Sequence, residues 1–157
     1  MSVQTAAGAK FYIGPANSVA DDTTAYGLLS YTEVAEVVSI SEFGDTFNEI
    51  THTALSDSRV RKFKGSVNAG TITIELGLDV DDAGQAAVET ARDVTAAATQ
   101  EYAFKVELND SLGSNPTTYY FRGLVMSYTQ NVGEVESIVG STVNVGINSQ
   151  PKELVNA

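Results

Sequence analysis

The sequence contains no cysteine, which excludes disulfides, thiolate metal ligands and cysteine nucleophiles. It has one histidine, His52, so a single chain cannot build a structural zinc site. A Ser-His-Asp triad would depend on His52, but no nucleophile elbow or glycine-rich oxyanion segment lies near it. We therefore expect His52 to be an exposed loop residue, and we expect the protein not to be an enzyme.

Basic residues are also scarce: nine Lys and Arg stand against twenty Asp and Glu, for a formal net charge of −11. Contact with the phosphate backbone requires clustered Lys and Arg, so this composition argues against a general nucleic-acid-binding surface. No stretch approaches the roughly eighteen apolar residues of a membrane span. The first residues lack the basic and apolar regions of a signal peptide, so we expect a soluble protein with no export signal.

The known ligand motifs are missing or incomplete. The stretch from Asp79 to Gly84 begins like a calcium loop, but Ala83 occupies a ligand position without an oxygen, and Thr90 stands where a bidentate glutamate is needed. Helix capping accounts for Asp81 and Asp82 without a metal. Neither a GxGxxG nor a Walker-type loop is present, and we expect no cofactor.

What the sequence does contain is a strand, a helix and a second strand between Thr71 and Leu108. Apolar residues alternate strictly with polar ones from Thr71 to Val80, which is typical of a half-buried strand. The period then changes to that of an alanine-rich helix at about residues 81–97, behind aspartates that can cap it. A second alternation runs from Tyr102 to Leu108.

Further strands are predicted on both sides of this unit. Lys10–Ile13 reads as a short edge strand closed by Gly14-Pro15, and Thr32–Phe43 as a strand interrupted by Glu36. A long hairpin follows the unit, with Thr117–Thr129 and Ser137–Ile147 as its strands. In the first of these, one face is predicted to carry Tyr120, Leu124, Met126 and Tyr128, and the other Tyr119, Phe121 and Val125.

Residues 44–70 show no sustained alternation, although they are too apolar for simple disorder. Four of the nine basic residues lie here, between Arg59 and Lys64. The segment is either a solvated β-hairpin arm or a basic arm that docks on an acidic face of another copy. Its candidate contact residues are Phe47, Ile50, Leu55, Arg59, Arg61, Lys62, Phe63 and Lys64.

The fold class predicted from these patterns is mainly β: a β-sandwich or partly closed barrel with one flanking helix at about 81–97 and a long loop or hairpin arm at about 44–70. We expect one domain over residues 1–157, with a mobile or partner-contacting C-terminal extension at 149–157. Two strands with under-buried faces indicate an oligomer.

The order of several segments resembles the major tail tube proteins of long-tailed, siphovirus-like bacteriophages. The similarity covers nearly the whole chain and is carried by the order of its segments. They are Tyr31-Thr-Glu-Val-Ala-Glu-Val, Ser41-Glu-Phe-Gly44, Thr51-His-Thr, Lys64-Gly-Ser-Val-Asn-Ala-Gly-Thr-Ile-Thr-Ile-Glu-Leu, Asp82-Ala-Gly-Gln85, Tyr119-Tyr-Phe-Arg-Gly-Leu-Val-Met-Ser-Tyr128 and Asn131-Val-Gly133.

The resemblance implies a structural virion protein that forms hexameric rings. The rings stack into a tail tube through which double-stranded DNA passes, without specific binding, into the host. It implies assembly in the host cytoplasm and, as partners, the tape measure, terminator and distal tail or baseplate proteins. It also implies that the arm contacts a neighbouring ring or subunit, and that half-polar sheet faces combine around the lumen.

A negatively charged lumen wall would let DNA slide past without binding. The acids predicted to face the lumen are Glu33, Glu36, Glu75, Asp79, Glu134 and Glu136. Three alternatives stay open: a terminator or baseplate ring component, the tube of a contractile tail, and an adhesin-like binding module. An adhesin-like module would place aromatic rings in exposed loops, whereas most Tyr and Phe here lie in phased strands.

Overall fold

The computed structural model describes residues 3, 5–16, 22–93, 100–110 and 116–155. Strands dominate this part of the chain, which confirms the predicted fold class. The elements are β1 (Lys10–Ala16), α1 (Thr23–Gly27), β2 (Thr32–Val34), β3 (Val37–Ile40), β4 (Thr46–Thr53), β5 (Val60–Asn68), β6 (Thr71–Gly77), α2 (Ala83–Arg92), β7 (Tyr102–Glu107), β8 (Thr118–Asn131), β9 (Gly140–Ile147) and β10 (Lys152–Leu154).

Most of the described strands belong to one antiparallel sheet with the path β2-β1-β7-β8-β9-β6-β3, and β10 lies beside β8. The long strand β8 joins two halves, because its first part pairs with β7 and its second part with β9. Strands β2 and β3 end opposite edges of the path, yet only Ala35 and Glu36 connect them. The sheet must therefore fold over until these edges approach each other, which gives a sandwich-like, incompletely closed barrel.

The two halves of the sheet share one apolar core. We call β2, β1, β7, β10 and the first part of β8 the β7 half, and Leu124–Asn131 of β8 with β9, β6 and β3 the β9 half. Fully buried side chains in the same cluster come from both: Phe11, Val34 and Phe104 from the β7 half, and Ile72, Ile74, Val143 and Val145 from the β9 half. Their burial supplies the main stabilising term of the fold.

Helix α2 packs on this sheet through a polar clamp at the β2–β3 corner. Asp82 caps the helix by accepting a hydrogen bond from the Gln85 backbone N–H (3.0 Å), and it also accepts one from the Ala35 N–H (3.0 Å). A Cβ on Gly84 would lie 2.0 Å from the Glu33 carbonyl oxygen, so only glycine permits this approach of helix to strand. The capping role predicted for Asp82 is confirmed.

The segment predicted as one strand from Thr32 to Phe43 is in fact two strands. Glu36 has a φ of 63°, which no extended strand allows, so β2 ends before it and β3 begins after it. The prediction that Lys10–Ile13 is an edge strand ended by Gly14-Pro15 is also wrong. β1 pairs with β2 on one side and β7 on the other, and it continues to Ala16 through a register shift.

The predicted versions of β6 and α2 are both too long. β6 ends at Gly77, and Val80 is 81% exposed. α2 ends at Arg92 because Asp93 has an extended backbone with ψ of 133°; the predicted helical residues 94–97 lie outside the described residues. The short helix α1, capped by the Asp22 side chain, was not predicted.

The predicted faces of β8 hold only for its first part. A register shift between Val125 and Ser127 turns Tyr128 into the core beside Val125 and leaves Met126 exposed. The alternation predicted for β9 is confirmed from Gly140 to Ile147, with Val143, Val145 and Ile147 all buried, but the predicted start at Ser137 is wrong because residues 137–139 lie in the β8–β9 loop. In the C-terminal extension, Lys152–Leu154 pairs with the first residues of β8.

Candidate assembly interface

Residues 44–70 form a β-hairpin arm that makes its own two-stranded sheet. Strand β4 pairs with β5 from Thr46↔Asn68 to Thr53↔Val60, with a register shift between Phe47 and Glu49. At the tip, Asp57 accepts hydrogen bonds from the Arg59 N–H (3.0 Å) and from the Arg61 guanidinium (2.6 Å). These two donors lower the pKa of Asp57 and hold the turn in shape.

Both faces of the arm carry exposed apolar side chains. One face pairs Ile50 with Phe63, and the other pairs Phe47 with Val67; each of these four side chains is about half exposed. Leu55 is fully exposed at the tip. An isolated two-stranded hairpin is marginally stable in water, so a surface of this kind gains stability when a partner covers it.

The predicted basic residues are spread along the arm. Arg61 lies opposite His52, which is exposed but belongs to strand β4 and not to a loop. Lys62 lies 3.9 Å from Glu49, and the Lys64 Nζ lies 4.8 Å from the centroid of the Phe47 ring. Surface pairs of this kind contribute little stability, so these cations remain available to other partners.

Glycines in left-handed conformations mark the two places where the arm leaves the sheet. Gly44 has a φ of 143° and Gly70 a φ of 78°. A Cβ at either position would meet no atom within 4 Å, so backbone conformation and not crowding requires glycine there. The Gly70 carbonyl accepts a hydrogen bond from the Ile147 N–H (3.0 Å), which fixes the arm at the C-terminal end of β9.

The outer face of the β9 half is polar. Its side chains bond across strands: Thr73 Oγ1 donates to Asn144 Oδ1 (2.7 Å), and Asn144 Nδ2 donates to Ser127 Oγ (2.7 Å). Glu75 is exposed on the same face and accepts a hydrogen bond from Ser39 Oγ (3.3 Å). No lysine or arginine occurs in β3, β6, β9 or Leu124–Asn131, so this face carries negative charge alone.

Within the described residues, this polar half has two edges that pair with no other strand. β3 ends the sheet path, and its Val38 is 76% exposed. The pairing of β8 with β7 stops at Gly123, so the far side of Leu124–Asn131 faces no strand; Arg92 Nη1 donates to the Tyr128 carbonyl there (3.3 Å). Unpaired edges are templates for pairing with another chain.

The other candidate acids do not share the polar face with Glu75. Glu33 is exposed on β2, in the β7 half. Glu36 occupies the corner after β2, Asp79 the turn after β6, and Glu134 and Glu136 the loop between β8 and β9.

In the described part of the chain, no group of three or more His, Asp and Glu could hold a metal ion.

Sequence reasoning missed a cluster of exposed apolar residues in the β8–β9 loop. Val132, Val135 and Ile138 are 68%, 102% and 87% exposed. The signal was present, because apolar residues without strand alternation flank Gly133, but Ile138 was assigned to the predicted strand Ser137–Ile147 and the residues before it to the connection of the hairpin. Among the described helices, none has the length and apolar character needed to cross a membrane.

No protein-family model matches the chain, and no curated protein matches it. Solved structures do. A chain from the sheath/tube terminator of an extracellular contractile injection system (PVC) has a TM-score of 0.71 at 9% identity, covering 99% of each chain. A chain of the anti-feeding prophage baseplate has a TM-score of 0.67 at 17% identity, covering 99% of this chain and 98% of that one.

The tail tube of SPP1 gives a TM-score of 0.60 at 15% identity, covering 94% of this chain and 78% of that one. Identities this low establish shared architecture alone. The chain has the fold of phage tail tube proteins, which it shares with tube, terminator and baseplate chains of contractile injection systems.

Proposed function

We propose that the protein is a structural subunit of a phage tail tube, which assembles into hexameric rings that stack into a conduit for DNA. The observation that carries this proposal is the β9 half: a sheet with a buried apolar face, a polar outer face and two edges that pair with none of the described strands. The fold shared with the SPP1 tail tube supports it. The number six comes from the family resemblance.

Ring closure follows from the two edges. Pairing β3 of one copy with Leu124–Asn131 of the next continues the sheet and satisfies backbone groups on both strands. Such a contact joins different surfaces, so repetition closes into a ring when the rotation between copies divides a full turn. The ring would then place the polar faces together around a lumen.

The chemistry of that lumen suits passing DNA. The four strand segments of the polar face lack lysine and arginine, which would hold the phosphate backbone. Glu75 adds a negative charge that repels it, while Thr73 and Asn144 are already occupied by each other. A wall of this kind guides DNA without sequence-specific binding, and a purely structural, non-enzymatic role follows.

The remaining partners belong to the same assembly. The arm would contact a neighbouring ring, and the tape measure, terminator and distal tail or baseplate proteins would meet the tube inside and at its ends. The location would be the virion tail, after assembly in the host cytoplasm. One domain would carry all these contacts, with the arm at 44–70 and the extension at 149–157 as its additions.

A second candidate is a ring component that does not polymerise, or the tube of a contractile tail. It is favoured by the terminator and baseplate chains among the similar structures. A terminator stops after one ring, whereas the tube subunits of both kinds of tail stack, so polymerisation separates a terminator from either tube.

Negative-stain electron microscopy of the concentrated, purified protein tests the proposal. Hollow tubes of stacked rings are the expected result. Closed rings that never stack would favour the terminator, and a monomer that remains single even with the other tail proteins present would reject both.

A further inference from the structure

The strands of the β9 half have two chemically different ends. The arm leaves at the end where Gly70 bonds to Ile147. At the other end, Gly77 pairs with Gly140, and the Leu78 N–H donates to the Val139 carbonyl (2.9 Å). With eight residues in β9, the ends lie roughly 23 Å apart. We call Glu36, residues 78–81 and residues 131–139 the far end.

The far end exposes several large apolar side chains to solvent. Val80, Val132, Val135 and Ile138 are between 68% and 102% exposed. Beside them, a groove of about 290 Å³ is lined by Leu78, Val80, Ala86, Tyr128 and Gln130, among others. Contiguous apolar patches rimmed by charge mark contact surfaces.

The charge of the far end is entirely acidic. It carries Glu36, Asp79, Asp81, Glu134 and Glu136, and no lysine or arginine. The arm is the opposite: residues 44–70 hold four basic and three acidic residues, for a net +1. The rest of the chain then has five basic and seventeen acidic residues, for a net −12. Only the arm offers this chain a clustered basic partner for its own acidic surface.

The geometry points to the far end as the acceptor for the arm of another copy of this chain. Apolar side chains of the arm, such as Phe63 and Leu55, would cover Val135 and Ile138, and the arm cations would face Glu134 and Glu136. This inference rests on the proposed function, because it names the surface that receives the arm. It also assigns these acids to stacking and leaves Glu75 to the lumen.

The position of donor and acceptor at opposite ends determines the kind of assembly. A head-to-tail contact between different surfaces cannot saturate within a pair of copies, so each added layer presents a new far end or a new arm. The result is an open stack with one direction. Ring closure uses the strand edges and stacking uses the ends, so the two contacts can be disrupted separately.

Two charge-reversed proteins test the acceptor. The first is Glu134→Lys/Glu136→Lys, in which the far end becomes basic. The second is Arg59→Glu/Lys62→Glu, in which the arm becomes acidic. All four side chains are exposed, so both proteins should fold. A control, Glu33→Lys/Glu42→Lys, makes the same charge change as the first variant at two exposed residues outside the arm, the far end and the C-terminal extension.

Sedimentation velocity measures association, and electron microscopy separates rings from stacks. We expect each reversed protein alone to stack about tenfold less strongly or worse, because like charges meet. An equal mixture should stack again, with the two proteins alternating, since both contacts between unlike copies are complementary. The control should stack like the wild type.

The outcomes distinguish this inference from the proposed function. Rings that stack normally despite the reversed far end would overturn the acceptor and leave the tube intact. If the wild type forms head-to-tail oligomers without rings, and these disappear in each charge-reversed protein and return in the mixture, the acceptor is upheld and the tube is rejected. A mixture that fails to stack, or a wild type that stays monomeric even with the other tail proteins present, would overturn the acceptor. Val135→Asp/Ile138→Asp provides an independent second variant, with weaker stacking expected.

Discussion

Gln85 is the residue on which the corner between the two sheet edges depends. It is 3% exposed, and its Nε2 donates to the carbonyls of Ala35 (3.2 Å) and Gly77 (2.9 Å). Its Oε1 accepts from the Asp79 N–H (3.0 Å) and the Tyr128 hydroxyl (3.2 Å). One buried amide thus joins the β2–β3 corner, the end of β6 and β8, and all of its polar atoms are satisfied.

Replacing Gln85 with leucine should therefore be costly. Gln85→Leu keeps a similar volume but leaves the carbonyls and the N–H without this partner, and we expect the free energy of unfolding to fall by about 2–4 kcal/mol. Urea unfolding measures the change. The matched control is Glu89→Leu on the exposed side of α2, which should change it by less than about 0.5 kcal/mol. Equal losses in the two variants would contradict the role of the clamp.

Tyr31 should make stability depend on alkaline pH. Its hydroxyl donates to the Tyr26 carbonyl (3.0 Å), and its ring contacts Tyr120. Burial, followed by the effects of Tyr120 and Tyr26, raises the pKa of Tyr31 well above its ordinary value. The unfolded chain therefore loses this proton at lower pH than the folded chain does, so the stabilisation is complete below about pH 10 and declines above it.

The measurement is urea unfolding of the wild type and Tyr31→Phe at about pH 8 and about pH 11. We expect Tyr31→Phe to be less stable at the lower pH by about 1 kcal/mol, from the lost hydrogen bond. It should also lose less stability on going to the higher pH. Some loss remains, because burial also raises the pKa of Tyr120. Parallel pH dependences in the two proteins would refute the assignment to Tyr31.

At the scale of elements, the arm should be dispensable for folding and essential for assembly. Its strands pair with each other, its side chains are exposed, and the sheet closes beneath it through the Ser41 N–H donating to the Thr73 carbonyl (2.9 Å). Replacing residues 45–69 with a short glycine linker should leave the melting temperature of the dilute protein nearly unchanged. Stacked tubes should disappear, leaving rings or monomers.

A full-length control separates arm chemistry from arm length. Ile50→Ser/Phe63→Ser keeps the hairpin but removes one apolar cross-strand pair, and it should change unfolding of the dilute protein by less than about 0.5 kcal/mol. It should weaken stacking, as scored by electron microscopy. An arm deletion that unfolds the protein would show that the arm belongs to the core.

The individual strands show how much of the fold could be predicted from the sequence. Strict alternation identified β6 and β9, because side chains on one face of a strand must all meet the core. It failed in β8 after Val125, since a bulge reverses the faces without leaving a sequence signal. It also failed at Glu36, where a positive φ in a non-glycine residue ends one strand and starts another.

For the candidate interface, the sequence alone predicted the arm and its charge. It did not predict which residues lie at each end of the β9 half. The acids Glu75 and Glu134 look equivalent as isolated carboxylates beside strands. Only the pairing of β6 with β9 shows that the first lies on a sheet face and the second beyond the end of the strands. Placement of this kind depends on long-range register, which no local pattern carries.

At the scale of the whole molecule, Glu75 offers the sharpest test of the lumen. It is exposed on the polar face, where its carboxylate accepts a hydrogen bond from the Ser39 hydroxyl (3.3 Å). Glu75→Lys should therefore fold and assemble into tubes. In the proposed hexameric ring, the six lysines of each layer would, however, attract the DNA phosphates that the native wall repels, so genome delivery should slow and depend more strongly on salt.

Phage carrying Glu75→Lys would be compared with phage carrying Glu153→Lys, which makes the same charge change on β10 in the other half of the sheet. Tail length by electron microscopy checks assembly, and the rate of DNA ejection at several salt concentrations measures delivery. We expect slower ejection for Glu75→Lys alone. If both phages eject DNA like the wild type while their tubes are intact, the polar face does not line the channel, and the proposed inward direction of the β9 half is wrong.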